Sequence, residues 1–499
     1  AGIHAAYINS SLTEGQINKA LSFAARGVYK IIYVAPERLE TASFLSFALH
    51  TPISMVTVDE AHCISQWGQD FRPSYLKIID FVEQLPGNPI ISAFTATATE
   101  VVKNDIARIL KLKNPNIVAT GFDRENLYYQ VEHLTGKQKD IFIQNYIETH
   151  PNESGIIYCA TRKNVDTLYE KLLKQGISVT RYHAGMNNDI RKKSQDDFIY
   201  DRAQIVIATN AFGMGIDKSN VRFVIHYNMP QSMENYYQEA GRAGRDGEPA
   251  KCILLFSTQD VMISKLLLGS KDFEGMDFQE IEQVKHQDSR RLQLMEGYCM
   301  TTSCLRNYIL EYFGETTDQP CDNCGNCHQE FEELDMTLDA KWVVGCITEM
   351  RGRYGQSLVI STLLGSKKAR LKDIGATSYN CYGQLENRTE ADLRLLISQM
   401  IRMGYIIQTE GEYSVLKAGN IADLQNKNTK IIIKKFKEKE KISTTKKHKT
   451  PFKKDSFSAS TESSSTDSTA TNSSRNSALF EALRQLRLQI AKEESVPPY

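Results

Sequence analysis

Repeated alternation constrains this chain more than any other feature: short β-branched runs closed by polar or proline-containing loops, with segments of helical period standing between or after them. "KIIYVAPERL", "MVTVDEAH" and "PIISAFTATAT" are runs of the first kind, and "TEVVKNDIARILKL" is of the second. The pattern predicts a parallel sheet with helices on both faces. It restarts after residue 120, where "SGIIYCAT", "SVTRYHAG", "AQIVIATNAFGMGID" and "VRFVIHYNMP" read as strands and "RKNVDTLYEKLLKQG" and "IRKKSQDDFIY" as helices. The fold class is therefore α/β, with two parallel-sheet lobes in tandem at residues 1–120 and 121–262.

At 499 residues the chain exceeds one core, and a prior of one domain per roughly 150 residues leaves room for further units. Residues 263–335 turn helical and end in a cysteine cluster. Residues 336–425 hold amphipathic helices and then "GYIIQTEGEYSVLKAG", a hairpin with "EGE" as its turn, which suggests a winged helix. Residues 426–476 are first lysine-dense and then Ser/Thr-rich, the composition of a disordered linker. From 477 to 499, Leu479, Phe480, Leu483, Leu486 and Ile490 share one helical face behind Ser477, a plausible N-cap, so a new domain starts there and stops after one helix. Sixty basic residues balance sixty acidic ones, so any polyanionic partner must be argued from local sites. Ten cysteines are too few for a disulfide scaffold, and no run approaches the roughly 20 apolar residues of a membrane span. The reading is a soluble, cytoplasmic protein, nucleoid-associated if bacterial, with no membrane partner. Its opening "AGIHAAYINSSLTEGQ" has no signal-peptide pattern and reads as the middle of a domain.

In "TVDEAHCISQWGQDFRP" a buried strand delivers Asp59 and Glu60 to the carboxyl end of a sheet, where ligands of α/β folds sit. Nucleotide hydrolysis needs such a pair, one acid for Mg²⁺ and one to orient and deprotonate the attacking water. By position, Asp59 takes the magnesium and Glu60 the water. Two acids at a strand end can equally cap the next helix. "TATAT" and "YYQEAGRAGRDG" downstream favour the first reading: if the latter stretch is helical, Arg242 and Arg245, three residues apart, both point into a cleft between lobes.

Cys304, Cys321, Cys324 and Cys327 combine two successive C-x-x-C steps with a fourth thiol from the preceding helix. Four sulfurs predict a closed, structural zinc site; an iron–sulfur cluster is the rival. Cys299 reads as a spare thiol off register, and His328 as a neighbour able to replace a sulfur.

Together "YVAPERL", "VDEAHCISQWGQDFRP", "AFTATA", "GIIYCATR", "IVIATNAFGMGIDKSNVRFVIHYNMP" and "YYQEAGRAGRDG" give residues 1 to about 425 a close resemblance to the RecQ family of superfamily 2 DNA helicases. One departure is "FDREN", where the family commonly has "FDRPN" and this chain carries Glu125. The resemblance implies RecA-like lobes, a zinc-binding subdomain and a winged helix. It implies an ATP-dependent helicase moving 3′ to 5′ in DNA repair and recombination, with ATP, Mg²⁺ and Zn²⁺ as cofactors. Single-stranded and duplex DNA are the expected partners, with a single-stranded-DNA-binding protein beside them. "FEALRQLRLQIAKEESVPPY" resembles the opening of an HRDC domain.

Residue by residue, Asp59, Glu60, His62, Gln238, Arg242 and Arg245 are expected to be catalytic, His62 and Gln238 connecting the phosphate site to the DNA site. Trp67, Phe71 and Arg72 match the family's aromatic-rich loop, where stacking a base is worth about 1 to 3 kcal/mol and tolerates any sequence; alone, they would read as core packing. Arg38, Arg162 and Thr209 are expected backbone contacts by resemblance, and each can equally be a surface group or a cap. Gly213 and Gly215 permit a tight turn and Asp217 can accept a ribose hydroxyl, or the three form a turn and nothing more. Lys367, Lys368, Arg370 and Lys372 offer a winged-helix surface to duplex phosphates, or a solvated face. No G-x-x-x-x-G-K-[ST] phosphate loop occurs; the nearest string is "TGKQ" at Thr135–Gln138. In the family that loop lies upstream of where this chain starts, so the chain is expected to be a fragment that binds ATP poorly and unwinds nothing by itself. A DNA-binding adaptor without motor activity and an RNA-directed DEAH motor are the alternatives.

Overall fold

A computed structural model describes residues 2–9, 12–65, 68, 71–213, 218–270, 278–317, 319–367, 369–409, 414–421, 424 and 429–436. It divides into two units, one of residues 1–187, 204–215 and 219–328, the other of 188–203, 216–218 and 329–499.

In the first unit, lobe 1 contains β1 (Ala5–Ile8), β2 (Ile31–Val34), β3 (Met55–Val58) and β4 (Ile90–Ala93), paired in parallel as β1 with β2 and β3 with β4. Helices Glu14–Ala25, Ala42–His50, Pro73–Gln84 and Glu100–Ile109 lie between or after these strands, as the alternation predicts. Ile17, Leu21, Phe44, Phe81, Val82 and Ile106 from those helices form one core with Ile8 and Val58 of the strands.

Lobe 2 is a six-stranded sheet of β5 (Leu127–His133), β6 (Ser154–Tyr158), β7 (Val179–Tyr182), β8 (Ile205–Ala208), β9 (Val221–His226) and β10 (Ala250–Phe256), in the order β5-β10-β9-β6-β8-β7. Every pairing in it is parallel. β6 and β8 are buried along their whole length, the burial that lets "GIIY" and "IVIA" be continuous apolar runs without alternation. Ile143 and Ile147 of helix Gly136–Thr149 and Val165, Leu168 and Leu172 of helix Arg162–Lys174 pack with Ile157, Ile207 and Ile225 of the sheet. Each such side chain contributes about 1.5–3 kcal/mol when fully buried. The string "TGKQ" has a plain role here: Thr135 caps helix Gly136–Thr149 in a reciprocal box with Gln138.

The second unit corrects two boundaries. β11 (Phe331–Asp335), expected to close the zinc-binding subdomain at 335, instead pairs antiparallel with β14 (Ile432–Phe436). β14 lies inside the stretch expected to be a linker. The reason is local: Ile431 and Ile433 are both 1% exposed while Ile432 is 43% exposed, a period of two hidden among lysines. The expected hairpin is present as β12 (Ile406–Gln408) and β13 (Leu416–Ala418), antiparallel, with Gln408 opposite Leu416. Helices Thr337–Glu349, Gln356–Leu363 and Glu390–Arg402 supply Val343, Ile347, Ile360, Leu393 and Ile397 to the core beneath it. Residues 437–499, including the helix expected at 477–499, lie outside the described residues. Among the described residues, no helix is long and apolar enough to cross a membrane.

Candidate nucleotide and DNA site

β3 ends by presenting Asp59 and Glu60. Glu60 takes a left-handed conformation, φ 48° and ψ 44°, which costs an ordinary residue about 1–2 kcal/mol. Its N–H donates to Asp59 Oδ1 at 2.9 Å, and the next N–H, of Ala61, donates to the Phe94 carbonyl at 2.9 Å beyond the end of β4. The turn buries Ala61, His62, Cys63 and Ile64. His62, 2% exposed, holds Nδ1 3.3 Å from Glu60 Oε2 and 3.0 Å from Thr95 Oγ1. Thr95 Oγ1 accepts from the Thr97 N–H at 3.3 Å, and Thr97 Oγ1 accepts from Gln238 Nε2 at 3.1 Å. A continuous polar route thus runs from the acidic pair of lobe 1 to a helix of lobe 2.

That helix, Met233–Ala240, starts on the Ser232 cap, whose side chain accepts from the Asn235 N–H. It stops before the two arginines, so the condition under which Arg242 and Arg245 would share a helix is not met. The chain passes into turns in which Ala243 N–H bonds to the Ala240 carbonyl, and Gly244 takes φ +55°. Arg242 is half-buried and donates Nη1 to the Gly213 carbonyl, while Arg245 is exposed. A Cβ at Gly213 would stand 2.3 Å from Arg242 Nη2, so a side chain there would make the guanidinium shift; the φ of this glycine is not left-handed.

The turn is gripped by residues that the sequence reading passed over. Arg124 of "FDREN" donates Nη1 to the Gly241 carbonyl at 3.3 Å and Nη2 to those of Ala243 and Gly244 at 3.2 and 3.1 Å. Asn126 Nδ2 donates to the carbonyls of Gly244 and Glu248 at 2.8 and 2.9 Å. Glu125, the departure from the family string, engages through its carbonyl, which accepts from Asn323 Nδ2 at 2.8 Å. The available signal was a pair of polar side chains two apart on a segment without periodicity.

Trp67 lies outside the described residues, as do Gly215, Asp217 and Lys368. Phe71 is half-buried, and the exposed Arg72 stands at the start of helix Pro73–Gln84, its N–H on the Cys63 carbonyl at 2.9 Å. Tyr75, also missed in the sequence, is the phenol beside the acidic pair. Burial pushes its hydroxyl up to about 12; Cys63, Asp59 and Glu60 add to the rise and Arg72 opposes it. Arg38 is half-buried in the turn Pro36–Arg38, exposed Arg162 opens helix Arg162–Lys174, and buried Thr209 follows β8 with its N–H on the Tyr182 carbonyl at 3.2 Å.

The four predicted sulfurs come together, all within 4.8 Å of one another. Cys321 to Cys327 and Cys324 to Cys304 are each 4.0 Å, close to the edge of roughly 3.8 Å that a tetrahedron of Zn–S bonds of about 2.3 Å requires. Cys299 is buried outside the group. His328 sits beside it, with Nε2 2.8 Å from the Asp322 carbonyl. Cys63, Cys159, Cys252, Cys346 and Cys381 are buried, as expected of incidental thiols.

Four family models match in sequence order: DEAD/DEAH box helicase over residues 2–104, helicase conserved C-terminal domain over 138–247, RecQ zinc-binding over 258–328 and the RQC domain over 330–442. The chain is 39% identical over all its 499 residues to the ATP-dependent DNA helicase RecQ of Bacillus subtilis, covering 78% of that relative. It is 34% identical over its whole length to the RecQ of Haemophilus influenzae, covering 76% of it. Against the ATP-dependent helicase SGS1 of Saccharomyces cerevisiae it is 32% identical over 434 residues, 84% of this chain and 29% of that one. The chain belongs to the RecQ family.

As a RecQ-type DNA helicase it is an ATP-dependent enzyme. The RecQ zinc-binding match contains all four clustered cysteines, whose sulfurs are a donor set that fits zinc. The RQC match runs to residue 442 and so includes β14, in agreement with the corrected boundary.

Proposed function

We propose that this RecQ helicase hydrolyses ATP between its lobes with Asp59 as the magnesium ligand, Glu60 as the base that orients and deprotonates water, and Arg242 and Arg245 as the cations facing the γ-phosphate. Bound magnesium supplies charge neutralisation on the phosphates. An arginine so placed is worth about 10³ to 10⁵ in rate. His62 and Gln238 relay the state of the acidic pair between lobes, and the aromatic loop of Trp67, Phe71 and Arg72 reports bound DNA to Glu60 through the buried turn that joins them. Gly213, Gly215 and Asp217 are assigned to nucleotide binding, and Arg38, Arg162 and Thr209 to the DNA backbone. Movement is 3′ to 5′ on single-stranded DNA, in repair and recombination, in the cytoplasm, with a single-stranded-DNA-binding protein on the strand released.

The observation that carries the reading is the route Glu60, His62, Thr95, Thr97, Gln238. Its crossing between lobes is one neutral hydrogen bond, worth about 0.5–1.5 kcal/mol, weak enough to break and re-form in every cycle. The test is Gln238→Ala in the full-length protein, assayed for ATP turnover with saturating single-stranded DNA. A fall of about tenfold or more, with zinc content and fold intact, is expected. Turnover equal to that of the unaltered protein would refute the relay.

A further inference from the structure

A second strut joins the same two places. Gly68, in the aromatic loop, packs so closely on the acidic turn that a Cβ on it would stand 2.1 Å from the His62 carbonyl. Its own carbonyl accepts from Arg291 Nη2 at 2.8 Å. Arg291 belongs to helix Phe278–Met300, in the RecQ zinc-binding region, and is 9% exposed. Its Nη1 donates to Asp288 Oδ1 at 3.2 Å, and its Nε lies 3.9 Å from Glu234 Oε1. Glu234 sits in the first turn of helix Met233–Ala240, four residues before Gln238, and Oε1 also accepts from the Tyr312 hydroxyl. The other oxygen, Oε2, is buried with no hydrogen-bond partner among the described residues.

These contacts close a ring. From His62 one path runs through Thr95 and Thr97 to Gln238, and the other runs through Gly68 and Arg291 to Glu234, one helical turn away on the same helix. The first path is made of neutral groups. The second carries a buried guanidinium between a loop carbonyl and two carboxylates, and a buried charge cannot lose a partner without large cost. When the loop moves Gly68, Arg291 must follow its carbonyl or turn to the carboxylates, where Glu234 Oε2 can accept.

We propose that Arg291 is a positioning residue for DNA-stimulated ATP hydrolysis, a buried cation through which the zinc-binding region transmits displacement of the aromatic loop to the helix bearing Gln238. The assignment rests on the reading of that loop as the DNA sensor. It gives the zinc-binding region a part in coupling as well as in holding the fold.

The test uses the full-length protein and measures ATP turnover without DNA and across a titration of single-stranded DNA. In Arg291→Met the ratio of saturated to DNA-free turnover falls about tenfold or more, while the DNA concentration for half-maximal stimulation shifts less than about threefold. A merely structural role lowers both turnovers in proportion and leaves the ratio unchanged, which overturns the assignment. Arg291→Met strands two carboxylates, so the double variant Arg291→Met, Glu234→Gln guards against failure to fold; it too must lose the ratio. Trp67→Ala separates the two readings. If it loses stimulation and both Arg291 variants keep it, the strut is wrong and the sensor stands. If Trp67→Ala keeps full stimulation, the loop reading falls, and the strut falls with it.

Discussion

Replacing Arg124 tests whether an arginine turn needs an external grip. Three donations hold the carbonyls of Gly241, Ala243 and Gly244, at 3.3, 3.2 and 3.1 Å. At about 1 kcal/mol net apiece for bonds of this length on a half-exposed side chain, they favour the gripped turn by about 3 kcal/mol. That is a factor of about 100 in its population, since 1.36 kcal/mol is tenfold. Arg124→Met removes the grip without placing a charge elsewhere, and Asn126 retains its own bonds to Gly244 and Glu248. Steady-state ATP hydrolysis by the full-length protein at saturating DNA is expected to show kcat reduced by about 10- to 100-fold, with KM for ATP within about threefold. Arg124→Lys, one point charge in place of a fork, should fall between the two. A kcat within about twofold of the unaltered protein, at unchanged thermal stability, refutes the reasoning.

Two further outcomes follow from the same structure. Cys321→Ser breaks the four-sulfur site; metal analysis should show zinc falling from one per chain toward none, and the midpoint of thermal unfolding should drop, since structural zinc contributes about 10–16 kcal/mol of apparent binding energy. A visible absorbance band in the unaltered protein would replace zinc with an iron–sulfur cluster. Neutralising the exposed Lys367, Arg370 and Lys372 together should flatten the dependence of duplex affinity on salt by about 2 to 3 log units per log unit, roughly 0.9 per phosphate contact; an unchanged slope rules out that surface.

What was readable in the chain was whatever repeats along it. "MVTV" ends in two acids, and the structure puts Asp59 and Glu60 directly after that strand, although the strand is not the buried one its apolar run suggests: only Val58 is buried and Met55 is exposed. The cysteine steps fixed their own geometry because three of the four sulfurs fall within seven residues. What escaped has no period. Arg124 and Arg291 act by carrying a guanidinium to a backbone carbonyl more than a hundred residues away, and any residue supplies a carbonyl. Tyr75 escaped for a similar reason, since an apolar helix face and a site-lining phenol look alike in "PSYLKIIDFVEQ". Whether "GRAGR" continues the helix is left open by its residues; it does not, because two glycines let the chain turn, and Arg124 and Asn126 supply bonds that a helix would have made for itself. β14 was missed because lysines dominate its composition while its isoleucines decide its structure.

The pairing of β11 with β14 ties the order of synthesis to the order of folding. About a hundred residues separate the two strands, so β11 leaves the ribosome long before its partner exists and waits as an edge with open backbone groups. Four helices and a hairpin can gather in the interval, but the clasp closes only when Ile431 and Ile433 arrive. Entry and exit then lie side by side, and the polypeptide leaves the clasp where it came in.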